Sequence, residues 1–186
     1  MLNHCSRKNG FTLIEVMVVV AIMGVLSAMG VYGVRISTIN SQMKDCALNT
    51  AAFLERVANE SNRMSKRLCV LKDNDQRLTA YVTDDCGDIS DAEELVSFSI
   101  DPPAKFGCSG VSIDDSFNDF DGADWASDGE NAGALFMPRI GLSAAPTEGY
   151  VCIQHGSSDS YGLAIKFKNR NMIVPMWRAG SYWNKL

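Results

Sequence analysis

The stretch that most constrains this chain is Phe11 to Val34, FTLIEVMVVVAIMGVLSAMGVYGV. Its 24 residues carry a single formal charge, Glu15. As a helix rising ~1.5 Å per residue it is long enough for a hydrocarbon core ~30 Å thick. A carboxylate near the start of such a segment costs on the order of a few kcal/mol in lipid. The preceding leader, MLNHCSRKNG, is short and holds Arg7 and Lys8, which the positive-inside bias keeps in the cytoplasm. A secretory signal peptide has a shorter apolar region, and here Glu15 interrupts its beginning. A plain anchor fits the length and leaves Glu15 unexplained.

Gly10-Phe11-Thr12-Leu13-Ile14-Glu15 resembles the processing site of type IV prepilins and of type II secretion pseudopilins. The resemblance implies that residues 1–10 are a leader removed by prepilin peptidase. Gly10 then lies before the cut, Phe11 becomes the N-methylated first residue, and Glu15 falls fifth. A buried carboxylate seeks a positive partner, and the amine of a neighbouring subunit supplies one as helices stagger into a filament. Glu15 is therefore the expected assembly residue. Ala21, Gly24, Ser27, Ala28, Gly30 and Gly33 supply small faces where helices can approach closely.

The apolar rhythm continues beyond Val34. Ile36, Ile39, Met43, Cys46, Thr50, Leu54, Val57, Ser61 and Met64 recur at steps of three and four, one stripe of an α-helix. This predicts a helix from about Phe11 to about Lys66, with residues 11–34 its transmembrane and filament-core half and 35–66 its amphipathic half. Met43 and Cys46 read as packing residues on that stripe. From residue 67 to 186 the pattern shortens into strands. Leu68–Leu71 and Leu78–Val82 flank a turn-forming cluster. Glu94–Ile100 alternates like a half-buried strand with Val96, Phe98 and Ile100 on one side. Ala134–Met137, Tyr150–Gln154, Tyr161–Phe167 and Asn171–Trp177 follow, the last two as a hairpin. Pro175, lacking an amide hydrogen, predicts an edge strand. Between them, Val111, Ile113, Phe117, Phe120 and Trp125 are possible anchors of a Gly-, Ser- and Asp-rich region. The fold class is α+β: a long N-terminal helix laid against an antiparallel β-rich head.

Phe136–Gly141, Gly149–Ile153, Tyr161–Ile165 and Met172–Val174 resemble the C-terminal strand series of the GspH/FimT family of minor pseudopilins. A Gly-Arg pair common in that family's last turn is here Asn169-Arg170-Asn171. The resemblance implies a minor pilin or pseudopilin of a type II secretion pseudopilus or type IV pilus, near its tip. Its partners would be prepilin peptidase, other pilin subunits and the inner-membrane assembly platform, with secreted cargo or DNA as further possibilities. It would cross the bacterial inner membrane once, N-terminus cytoplasmic and head periplasmic, before joining the filament.

The remaining chemistry is sparse. Six cysteines show neither CxxC pairs nor zinc-finger spacing. Without the leader's Cys5, five remain, consistent with two disulfides and a spare thiol in an oxidising compartment. Cys69, Cys86, Cys108 and Cys152 are the disulfide candidates, their pairing open. His155 is the single histidine beyond the leader. Ser157, Ser158 and Asp159 lie near it, but no nucleophile elbow is present, so no catalytic residue is assigned and no enzyme is expected. Cys152 with His155 supplies only two of a metal's ligands.

Fourteen acidic residues between Asp84 and Glu130 face only Lys105. Asp119, Asp121, Asp124 and Asp128 form an oxygen-rich bunch of the kind Ca²⁺ takes. In EF-hand register, however, Gly122 as the turn glycine puts Phe117 at the first ligand position, so a solvated loop without cofactor is expected. The chain's end is basic. Lys166, Lys168, Arg170 and Arg178, with aromatics between them, are candidate nucleic-acid contacts, which makes a DNA-binding minor pilin of a natural-transformation pilus the alternative function.

Overall fold

The structure is a computed structural model describing residues 11–109, 111, 113, 117, 120–127, 133–138, 148–156, 159–168, 170 and 172–186. The chain divides into two compact units, Met1–Thr38 and Ile39–Leu186.

Helix α1 runs over Leu13–Met64. In the first unit its large apolar side chains are exposed, from 41% for Ile36 to 77% for Leu13. A Cβ added at Gly24, Gly30 or Gly33 would meet nothing within 4 Å. So much apolar surface without protein cover requires lipid or other helices around it.

In the second unit the helix buries Met43, Ala47, Thr50, Ala51, Phe53, Leu54, Val57, Ala58 and Ser61. This face is wider than the predicted stripe because alanines at 47, 51 and 58 let strands come close. The helix ends in a Schellman arrangement. Ser65 adopts the left-handed conformation (φ 54°), while Ser65 N donates to Asn62 O at 3.4 Å and Lys66 N to Ser61 O at 3.3 Å.

Ten strands follow. β1 (Leu68–Asn74), β2 (Arg77–Val82), β3 (Glu93–Ser99) and β6 (Ala134–Phe136) form an antiparallel sheet in the order β3-β2-β1-β6. The β2/β3 register shifts between Ala80 and Tyr81, which pair with Val96 and Glu94. Leu95 is thus an extra residue, and both it and Val96 pack against the core, where strict alternation would send Leu95 outward.

The second sheet orders β10 (Trp183–Lys185), β9 (Val174–Ala179), β8 (Ser160–Lys166), β7 (Gly149–His155) and β4 (Ala104–Phe106). The short β5 (Ala123–Asp124) pairs parallel to β7. Pro175 is therefore not on an edge strand, because β10 covers β9. Its missing N–H is tolerated at the end of β10, where Leu186 N donates to Pro175 O at 3.1 Å. The predicted Asn171–Trp177 strand begins at Val174, and β4, β5 and β10 are too short to leave a periodic signal.

Every residue of β8 is buried, the mark of a strand covered on both faces. Ala164, with Val151 and Ile153 of β7, belongs to the cluster under the helix; Leu163, Ile165 and Cys152 belong to a second cluster with Ile113 and Phe120. That second layer is closed by a Cys108–Cys152 disulfide, while Cys69–Cys86 fastens the β2–β3 loop to β1.

Candidate assembly site

The helix start is built by reciprocal hydrogen bonding. Thr12 precedes the first helical residue, and its Oγ1 accepts from Glu15 N at 3.3 Å. Glu15 Oε2 in turn accepts from Thr12 N at 3.0 Å and from Thr12 Oγ1 at 2.9 Å. Thr-x-x-Glu in this geometry is a capping box, in which two backbone donors lacking helical partners are satisfied by side chains. Glu15 Oε1 has no partner among the described residues. The sequence reading singled out Glu15 and passed over Thr12, although the four-residue capping signature was there to find. Gly10 lies outside the described residues. Phe11 stands exposed at the end of the helix.

The other candidate residues separate. Among the described residues no three His, Cys, Asp or Glu side chains are arranged to hold a metal ion. Asp119 and Asp128 lie outside the described set. Asp121 is exposed and its backbone N–H donates to Glu148 Oε2 at 3.1 Å; Asp124 Oδ1 accepts from Ala126 N at 3.0 Å in a local turn. Cys152 is committed to a disulfide and so cannot join His155 at a metal. His155 instead lines a cavity of about 230 Å³ with Asp45, Cys46 and Asp101. Cys46 is the free cysteine there, and burial, then Asp45 and Asp101, push its thiol pKa up, away from the reactive thiolate.

The four basic candidates do not share one exposed face. Lys166 is 1% exposed, and burial pulls its ammonium pKa down despite the opposing pull of Glu148. It belongs inside the head, because it ends a strand covered on both sides. Lys168 and Arg170 are exposed at the β8–β9 turn, Arg170 with its guanidinium 5.3 Å from the Phe167 ring centroid. Arg178 pairs across from Tyr161, at the far end of the strands from that turn, and its Nε donates to Gly180 O at 2.6 Å.

The start of this helix falls within the one segment that a comparison with known protein families matches. The family model described as the prokaryotic N-terminal methylation motif matches residues 5–31. This match supports a type IV pilin-like protein. No curated protein and no solved structure matches it. For a pilin-like subunit the motif implies processing by prepilin peptidase and assembly with other pilins. One long helix packed on antiparallel sheets is the matching α+β architecture, and the exposed apolar half of the helix fits a membrane-anchored form.

Proposed function

We propose that this is a minor pilin or pseudopilin of the GspH/FimT kind, cut between Gly10 and Phe11, methylated on Phe11, and incorporated near the tip of a type II secretion pseudopilus or type IV pilus. The observation that carries the reading is the leader motif running directly into a capped, uncovered apolar helix. Glu15 holds the helix start with one oxygen and leaves the other to accept from the amine of a neighbouring subunit. That pairing lessens the cost of placing a carboxylate in an apolar filament core. The two disulfides support an oxidising compartment for the head. The work is mechanical: helix into filament, head toward partner subunits or cargo.

The test is expression of the full chain with its peptidase and assembly machinery, followed by mass measurement of the N-terminus and recovery of sheared filaments. Gly10→Ala should leave the leader attached. Glu15→Ala should still be cut but be lost from the sheared fraction. Normal incorporation of the Glu15 variant would show that charge pairing is not its role. Retention of the leader in the wild-type chain would remove the whole reading.

A further inference from the structure

Four strands stand at the outer ends of the two sheets: β3 and β6 in the first, β10 and β4 in the second. β6, β10 and β4 are three residues long, too short for a ladder, whereas β3 runs for seven. Among the described residues nothing pairs with the side of β3 turned away from β2. Folded proteins usually blunt such an edge with charge, proline or a bulge. Here Glu93, Glu94 and the extra residue Leu95 guard the start of the strand. Val96, Ser97, Phe98 and Ser99 carry no charge and no proline. Four residues at ~3.3 Å each leave about 13 Å of open backbone.

The helix borders this edge. Phe98 stacks on Phe53 with ring centroids 5.4 Å apart. Leu95 and Val96 line a groove of about 390 Å³ with Arg56, Val57, Glu60 and Arg63, so helix and strand run in opposite directions. The floor is apolar: Val57 is fully buried, and Leu95, Val96 and Phe98 are half-buried against the core. The rim is charged. Arg63 Nε donates to Glu60 Oε2 at 2.9 Å, and these two satisfy each other. Arg56 is exposed and makes no ion pair among the described residues. Where β3 opens, Glu94 is taken up by Arg77, while Asp91 and Glu93 are exposed and make no ion pair among the described residues. The groove is therefore positive along its middle and negative at the β2–β3 loop.

We propose that this groove takes an extended segment of a different protein, added as a strand on β3. The segment places an apolar side chain on the Val57 floor, an acidic one at Arg56 and a basic one toward Asp91 and Glu93. Strand addition draws affinity from the free backbone groups of Val96–Ser99 and selectivity from every second side chain, which drops into the groove. The apolar side chain covers what β3 leaves half exposed, and the two charges answer the two unpaired ends of the rim. The β3 strand of a second copy fits poorly, because it brings Glu93 and Glu94 and no base. The groove lies wholly in the second unit, so the contact goes beyond the filament reading and does not depend on it.

The test is selection of a displayed library of random peptides, roughly ten residues long, enough to span the open edge. The target is the full chain in detergent micelles, after depletion on empty micelles, with Arg56→Glu selected in parallel. Arg56 is exposed, so its reversal leaves the fold in place. The expected sequences alternate apolar residues and hold an acid toward one end and a base toward the other; the variant should exchange the acid for Lys or Arg. A selected peptide should bind Arg56→Glu about fivefold more weakly, the worth of one exposed charge pair, and its acid-to-lysine form should regain the loss. N-methylation of every second residue should abolish binding in one register and spare it in the other, because alternate N–H groups of a strand face opposite sides. No enriched pattern, a pattern the variant shares, N-methyl registers that behave alike, or sequences matching a stretch of this chain itself each overturn the proposal. A chain that keeps its leader in cells overturns the filament reading and leaves this contact standing.

Discussion

Gly162 is where the head is least able to accept another atom. It lies in β8 beneath the helix, and a Cβ there would sit 2.8 Å from Met43 O, 3.3 Å from Ala47 Cβ and 3.6 Å from Ala47 N. The nearest of these is helix backbone, which cannot rotate aside as a side chain could. Gly162→Ala must therefore push the helix off the strand or bend a strand held by neighbours on both sides. Overpacking of this kind costs about 1–3 kcal/mol, set against about 0.4–1 kcal/mol gained by restricting the unfolded chain. A net loss of about 1–2 kcal/mol lowers the midpoint by roughly 2–8 °C for a chain of this size. The assay is thermal unfolding of the full chain in detergent, followed by tryptophan fluorescence. Gly24→Ala, where an added Cβ meets nothing within 4 Å, is the control and should leave the head's transition in place. A Gly162→Ala protein that melts within about a degree of wild type would refute the close-approach argument.

Ser65→Gly should raise stability by about 1 kcal/mol, because Ser65 holds the left-handed position of the helix cap at a cost glycine does not bear; an unchanged or lower denaturant midpoint would contradict this. Replacing both cysteines of a disulfide by serine should cost about 3 kcal/mol for Cys69–Cys86 and about 4 kcal/mol for Cys108–Cys152, whose sequence separations are 17 and 44. Chemical denaturation of the two variants checks the order of the losses. Lys166 has a depressed pKa in the folded head, so between that value and about 10.4 the unfolded chain binds more protons and stability rises with pH. The gain of wild type over Lys166→Met should therefore grow as pH rises through this window, and a flat difference curve would show that Lys166 is not desolvated.

Elements set by local chemistry were legible in the sequence. The helix was readable because its apolar side chains repeat at helical spacing for fourteen turns or so, and the α+β order because strand runs follow it without another helical rhythm. The β1–β2 hairpin announced itself by its turn residues. The leader and Glu15 stood out because a charge beside an apolar run is costly wherever the rest of the chain goes. Thr12 was equally legible as a capping residue three positions before the run's only acid, yet its bonding to Glu15 had to be seen to give it a role.

What the tertiary structure alone decided is everything that depends on distant segments meeting. The cysteine pairing required knowing that the β2–β3 loop folds back on β1 and that Cys108 lies over β7. Lys166 counted as one of four basic residues until β8 proved to be covered on both faces. Pro175 by its chemistry predicts an edge, but a three-residue strand, too short to show a period, lies outside it. For Phe11–Val34 the sequence determined a segment that must find lipid or other helices, because its composition is solvent-averse regardless of context. For the head it determined which residues are apolar, while neighbours supplied by the fold decided which charges face water.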